Sequence, residues 1–398
     1  MKKVLYFFPE NPLERNAGNK TRALQLLHYF RDRNMAVDFM STNLWLSPWN
    51  KEDVRAFQRS KLADTIRIME KKPAKNNLID YFFNYKIHQI SYRKKFNKSH
   101  IGMHSHTTWY SRSAFRELVW QNDYDYIIIS YIYWANLIDD IRSFSNARTI
   151  IDTHDFMTSQ CQQNKNFQLG PFFEEEINSL KMFDEIWTIS VDEQYLFSRF
   201  CPGNVRWVPP MPDALAASLP ENTAGKIHDL IYVASDNPHN LIAAEWFFKE
   251  VHPRLPERLR MCVIGKISAH IADHPNVVKI PFAEDIGPYY AQSKVAICPI
   301  LSGTGIKIKV VEAITHGLPV VCTTRGTDGM PDKINNGCLT GDDPQEFARN
   351  ITTLLENPGF YQEQANLAAE TFYRHFEKTR CYQKLDEIFA STWDVFQH

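Results

Sequence analysis

The chain has 398 residues, 44% hydrophobic and 23% charged, with 45 Lys and Arg against 46 Asp and Glu. That balance excludes a disordered or fibrous protein and any whole-molecule attraction to nucleic acid, and the length calls for two or three domains. Seven scattered cysteines, with no C-x-x-C pair and no His-rich companion, argue against a zinc site or disulfide frame and for reduced thiols in the cytoplasm.

In chain order, Val4–Phe8 reads as a short apolar strand ending at Pro9, too short for the core of a signal peptide. The loop 16–22 opens a helix with Ala23, Leu26, Leu27 and Phe30 on one face, and residues 35–40 form the next strand. Strand, Gly-containing loop, helix, strand is the opening of a doubly wound parallel sheet. After an irregular basic and aromatic insert over about 45–120, apolar runs at 126–131, 148–151, 185–189 and 205–208 continue it. Runs without alternation suit strands covered on both faces. The most apolar stretch, 126–138, is too short and too interrupted to span a bilayer.

Pro209, Pro210 and Pro212, followed by small and polar residues, mark a linker over 209–226. The pattern then restarts. Strands are expected at 229–234, 260–264, 277–280, 295–299 and 319–322, with helices at 238–251 and 286–291, a loop and helix over 303–316 and a helical tail from Pro344. Two Rossmann-like domains in tandem result: 1–208, and 227–375 with a last helix over about 379–396.

The most informative segment runs from Ser302 to Val321, Ser-Gly-Thr-Gly-Ile-Lys-Ile-Lys-Val-Val-Glu-Ala-Ile-Thr-His-Gly-Leu-Pro-Val-Val. Gly303 and Gly305 allow a tight turn after a strand, so bare amides can approach a phosphate, and the following helix points its dipole there. Lys309, Glu312 and His316 share one helical face. A cation near a diphosphate and a carboxylate accepting from ribose hydroxyls suit a nucleotide-sugar; the alternative is a solvated i, i+3 ion pair.

This segment resembles the donor-site motif of the retaining glycosyltransferase family 4. Further segments are similar to the same family in order: Val233–Asn240 followed by Trp246-Phe247, Pro281–Ile286, Tyr290–Ser293, Ile297–Ile300 and Thr323–Gly329. Ala17-Gly18 with Arg22, and Asp152-Thr-His-Asp155, are similar to its acceptor side. The resemblance implies a GT-B fold: α/β, two Rossmann-like doubly wound domains facing a central cleft, the last helix (376–398) packing back on the N-terminal domain. It implies donor contacts from Gly18, Ser235, Asn240, Lys266, Phe282, Gly303, Thr304, Gly305, Ile306, Lys307, Lys309 and Glu312. Acceptor-side contacts would come from Asn19, Arg22, His154 and Asp155, with His154, Lys309 and Glu312 as the catalytic set. The pattern departs from the family at Thr304, where many members carry a first glutamate. The first donor loop likewise offers Ser235, Asn237 and Asn240 in place of an arginine.

The family's chemistry needs no metal, since amides and cations stabilise the leaving diphosphate; no cofactor is expected. Asp123-Tyr-Asp125 fits the D-x-D pattern of metal-dependent transferases but precedes a strand, where surface acids are common. His154 suits orienting a hydroxyl or is a satisfied structural histidine, and Asp155 caps a helix if it is not a contact. Residues 59–116 carry a large excess of Lys and Arg among aromatics. They suit an anionic membrane surface at the inner face of the membrane, or form a helical insert with local core; no RNA-binding motif is present. The expected function is transfer of a sugar from UDP or GDP to a glycan or lipid-linked acceptor in bacterial surface polysaccharide synthesis. The alternatives are a non-catalytic nucleotide-sugar-binding or scaffold protein, or a same-fold epimerase.

Overall fold

The computed structural model describes residues 1–14, 17–43, 48–96, 103, 105–212 and 225–390. Most of the linker expected over 209–226, parts of the 45–120 region and the end of the last helix lie outside the described residues. The chain divides into two compact units, Met1–Ile189 with Glu193–Trp207 and Ser190–Asp192 with Val208–His398.

The first unit is built on a seven-stranded sheet in the order β3-β2-β1-β4-β5-β6-β7, every adjacent pair parallel. Its strands are β1 (Lys3–Phe7), β2 (Ala36–Thr42), β3 (Thr65–Met69), β4 (Tyr126–Ser130), β5 (Arg148–Asp152), β6 (Glu185–Thr188) and β7 (Asn204–Trp207). All of β4, β5 and β6 is buried, as parallel strands covered on both faces must be. Leu5, Phe7, Ile127, Ile129, Ile151, Ile186 and Trp134 form the centre of the core beneath them. The strand order reverses between β1 and β4, and the carboxyl edge at such a switch is where open α/β sheets bind ligands.

Part of the region expected to be an irregular insert belongs to this sheet. The helix Lys51–Ser60 is closed at its start by a reciprocal Asn50–Asp53 capping box and leads into β3. β3 pairs with β2 from Asp38↔Thr65 to Thr42↔Met69. Being an edge strand, it buries only Met69 fully, so its apolar signal is weak.

The second unit repeats the plan with six parallel strands in the order β10-β9-β8-β11-β12-β13. They are β8 (His228–Val233), β9 (Met261–Ile264), β10 (Val277–Ile280), β11 (Ser293–Cys298), β12 (Val320–Cys322) and β13 (Cys338–Thr340). Its core joins Leu230, Tyr232, Val263, Val295 and Ile297 to Phe247, Phe347 and Ile351 from the covering helices. The helix expected over 238–251 is α-helical through Pro238–Trp246 and closes as a π-turn over Phe247–Val251. Cys298 and Cys322 are register partners, and all seven cysteines are free thiols. The switch lies between β8 and β11. Both units are therefore doubly wound α/β sheets.

Candidate active site

The carboxyl ends of β8, β9 and β11 converge on one edge of the second sheet, and each ends in a loop fixed by a specific residue. After β9, Gly265 adopts φ 106 with its missing Cβ only 2.2 Å from the Ala234 carbonyl oxygen, so a side chain is excluded there. Lys266 follows it, exposed and without a partner among the described residues. After β11, Gly303 and Gly305 sit at φ 96 and 73, in the left-handed region that favours glycine. Two such turns postpone the helix, which runs Ile308–Thr315 rather than starting at the glycines.

This short helix buries Val310, Val311, Ala313 and Ile314 and leaves Lys309 and Glu312 half-buried. Lys309 Nζ donates to Asn240 Oδ1 at 2.8 Å. The Asn240 amide cannot turn round, because its Nδ2 donates to the Ser235 carbonyl at 3.0 Å and to Ser235 Oγ at 3.1 Å. Asn237 caps the helix Pro238–Trp246 by accepting from the Asn240 amide at 2.9 Å. Ser235, Asn240 and Lys309 thus form one connected polar line.

Glu312 has no hydrogen bond or ion pair among the described residues. Burial pushes its carboxyl up to about 7 against the opposing pull of Lys309, and burial lowers the Lys309 ammonium. Thr304 Oγ1 is also buried, with no hydrogen-bond partner among the described residues. Lys307 does not extend outward: its Nζ donates to the Thr304 and Gly305 carbonyls at 3.0 and 2.9 Å and cinches the loop. Ile306 is buried beside it, and Phe282, beyond β10, is 80% exposed. His316 ends the helix with its ring stacked on Tyr290 (centroids 4.8 Å apart), and burial lowers its pKa to about 4. Sequence reasoning missed His239, whose Nδ1 lies 2.8 Å from Ser302 Oγ. No periodicity marks a polar residue in a helix's first turn.

In the first unit, the helix Gly18–Asp32 starts at Gly18 just behind β1. Asn19 donates to Glu10 at 3.0 Å, and Arg22 forks onto Asp152 at the end of β5 with contacts of 2.7 to 2.9 Å. Both partners are almost fully buried. Burial would raise the Asp152 carboxyl, but Arg22 outweighs it and holds the group below its usual range. Arg22 is thereby committed to a protein carboxylate. His154 lies 3.2 Å from Asp152 Oδ2 and stacks on Tyr131 at 4.4 Å. Burial lowers its pKa to about 4, so the imidazole is neutral at neutral pH; Nε2 faces Asp152 without hydrogen-bond geometry, and Nδ1 has no hydrogen-bond partner among the described residues. His154 and Tyr131 both hold positive φ, 62 and 69, an uncommon conformation that clusters at functional positions. Asp155 does not cap the next helix. Phe156 occupies that position, and the first amides of Met157–Gln160 go to buried Glu176 at 2.9 and 2.7 Å.

Asp125 of the D-x-D pattern accepts from the Lys3 amide at 2.7 Å, at the amino ends of β1 and β4 and so away from the ligand-binding edge. Among the described residues no group of three or more His, Cys, Asp or Glu could hold a metal ion.

Residues 227–357 match the sequence family described as Glycosyl transferases group 1. Over its whole length the chain is similar in fold to sucrose-phosphate synthase from Thermosynechococcus elongatus (TM-score 0.68, 12% identity, 98% of each chain). It is similar to HepE from Anabaena, solved with UDP-glucose (0.65, 13%, 98% of this chain and 100% of that one). It is also similar to TarM from S. aureus (0.66, 12%, 98% and 99%). An uncharacterized 44.6 kDa protein in the cps region of Klebsiella pneumoniae is 22% identical over 163 residues, 37% of this chain. The chain spans 42% of that relative. The two sheets have the GT-B fold of these structures, and the family match lies wholly within the second unit.

Proposed function

We propose that the protein is a retaining, metal-independent transferase that moves a sugar from a UDP- or GDP-sugar to a glycan or lipid-linked acceptor. The observation carrying this reading is the unpaired carboxylate of Glu312 beside Lys309 at the carboxyl edge of β8 and β11. A half-buried carboxyl raised to about 7 lacks a donor among the described residues, and two ribose hydroxyls are the donors it suits. The amides around Gly303 and Gly305 suit the diphosphate, with Lys309 close by. As the anomeric carbon–oxygen bond breaks, its electron pair goes to the diphosphate, where these groups stabilise it. The acceptor hydroxyl bonds to the anomeric carbon and gives up its proton to the diphosphate or solvent. His154, neutral, with Nε2 facing Asp152 and Nδ1 without a hydrogen-bond partner among the described residues, suits orienting a sugar or acceptor hydroxyl. Retention rests on the family resemblance, and a role in surface polysaccharide synthesis is supported by the cps-region relative.

Residues 78–96 support an acceptor presented at a membrane. Leu78, Ile79, Phe82, Phe83, Ile87 and Ile90 are exposed, Leu78 by 75%, while Tyr85 and Tyr92 are buried. Lys86, Arg93, Lys94 and Lys95 accompany them. An apolar face flanked by lysines and arginines suits an anionic bilayer surface. Among the described residues no helix is long and apolar enough to cross a membrane.

Calorimetric titration tests the donor site. Glu312→Ala should weaken UDP or GDP by about 1.5–3 kcal/mol per lost charge-assisted bond, while a dideoxyribose analogue binds both proteins alike. Lys309→Ala should harm the diphosphate more than the plain nucleoside. Unchanged nucleotide affinity in Glu312→Ala, with the fold intact by circular dichroism, would remove the reading. Hydrolysis of a nucleotide-sugar by the wild type separates an enzyme from a mere binder.

A further inference from the structure

We infer that His239, positioned by Ser302, contacts the donor diphosphate. The inference rests on the donor-site reading above and adds a residue to it. Two loop cations are already engaged: Lys307 with the carbonyls of Thr304 and Gly305, and Lys309 with Asn240 beside Glu312. The imidazole of His239 borders the bare side of Gly303. Its ring atoms are the nearest neighbours, at 3.6 to 3.7 Å, of the position a Cβ there would take. With Nδ1 held by Ser302 Oγ at 2.8 Å, the ring cannot turn away. Its Nε2 has no partner among the described residues.

With Nδ1 engaged by the Ser302 hydroxyl, Nε2–H is the ring donor left for a phosphate oxygen. The charged and titratable groups on the surrounding elements are Asp236 ahead of the same helix and Glu245 within it. Lys266 and His270 lie on the turn after β9, Lys307 in the Gly303 loop, and Lys309 and Glu312 on the helix Ile308–Thr315. A bound diphosphate adds two or more negative charges to that set.

The test is calorimetric titration of the full chain and its His239→Gln variant with UDP, GDP, uridine and guanosine at pH 7.5. His239→Gln should bind the diphosphate about tenfold weaker, the scale of a charge-assisted bond, and bind the nucleoside as wild type does. His239→Lys should regain affinity. If His239→Gln matches wild type in affinity for UDP and GDP while Glu312→Ala loses nucleotide, this inference fails and the donor site stands. If neither UDP nor GDP binds the wild type, both fall together.

Discussion

Arg22–Asp152 in the first unit and Lys309–Glu312 in the second are both cation–carboxylate neighbours near the carboxyl ends of a parallel sheet. They are built in opposite ways. Arg22 forks onto Asp152 with every contact between 2.7 and 2.9 Å, and the carboxyl is held below its ordinary range. Lys309 instead gives its hydrogen bond to the neutral Asn240, and Glu312, without a hydrogen bond among the described residues, is raised to about 7. A buried pair closed on itself can support a scaffold. A carboxylate desolvated but not satisfied stores a cost that a bound hydroxyl donor relieves. The same two charges therefore mean support in one unit and a waiting site in the other.

The largest effect comes from breaking the closed pair. Arg22→Ala leaves Asp152 charged and unpaired, and loss of one partner of a buried pair costs about 3–5 kcal/mol. Denaturant unfolding should show that loss at neutral pH, with or without nucleotide. The lowered pKa of Asp152 fixes the sign: its stabilisation is present at neutral pH and is lost in wild type as pH falls through the folded-state value. The gap between the two proteins should therefore narrow in acid. A loss below about 1 kcal/mol at pH 7 would mean that the pair is not closed as described.

Breaking the open pair should do the reverse. Glu312 is raised from its ordinary 4.5 to about 7, so the folded protein holds that proton more tightly than the unfolded chain. Stability from this group is full below about 4.5 and is lost as pH rises through 7. Glu312→Gln should match wild type near pH 4.5 and exceed it by about 1–3 kcal/mol at pH 8, part of the shift being screened by partial exposure. Wild-type affinity for UDP or GDP should rise over the same interval, since ribose hydroxyls need the carboxylate. Parallel stability profiles for the two proteins from pH 4.5 to 8 would show that Glu312 is not desolvated.

The contrast also explains what the sequence could reveal. The Gly303–Glu312 spacing lies within one turn and one helix, so its chemistry is local and readable. The central strands are readable too, because burial on both faces forces continuous apolar runs such as Tyr126–Ser130. Contacts that join distant segments carry no such signal: Lys309 meets Asn240 across 69 positions, and Arg22 meets Asp152 across 130. Edge strands hide for a different reason. β3 alternates between exposed and half-buried positions, and β13 is only three residues long, so neither produces an apolar run. The segment 78–96 divides between the two expectations for it, with Tyr85 and Tyr92 packed inward and Phe82 and Phe83 outward. Composition alone cannot tell those apart.

That outward face gives a smaller effect. Each lysine near an anionic surface contributes about 1 kcal/mol. Lys94→Glu with Lys95→Glu should therefore reduce sedimentation with phosphatidylserine-containing vesicles at least tenfold. Lys95 is also paired with Asp139 at 3.0 Å, so the Lys94→Glu single variant is the cleaner control. Binding should weaken with salt, exposed charges being screened over about 8 Å at physiological ionic strength. Phe82→Ser with Phe83→Ser should reduce the salt-resistant remainder. Indifference to anionic vesicles at low salt would leave this face for a soluble acceptor.

The smallest expected effect is none at all. In the proposed mechanism Lys309, the loop amides and His239 stabilise the leaving diphosphate without a metal. Sugar transfer or donor hydrolysis should therefore proceed at an unchanged rate in EDTA. Among the described residues the acids nearest to a metal pattern, Asp123 and Asp125, stand by the amino ends of β1 and β4, where Asp125 already accepts the Lys3 amide. A divalent ion carried in by the nucleotide itself would show as a modest drop shared by wild type and Asp125→Asn. Complete loss in EDTA, restored by manganese and abolished by Asp125→Asn, would instead move the chemistry to the opposite edge of the first sheet. It would also leave the open Glu312–Lys309 pair without a reaction to serve.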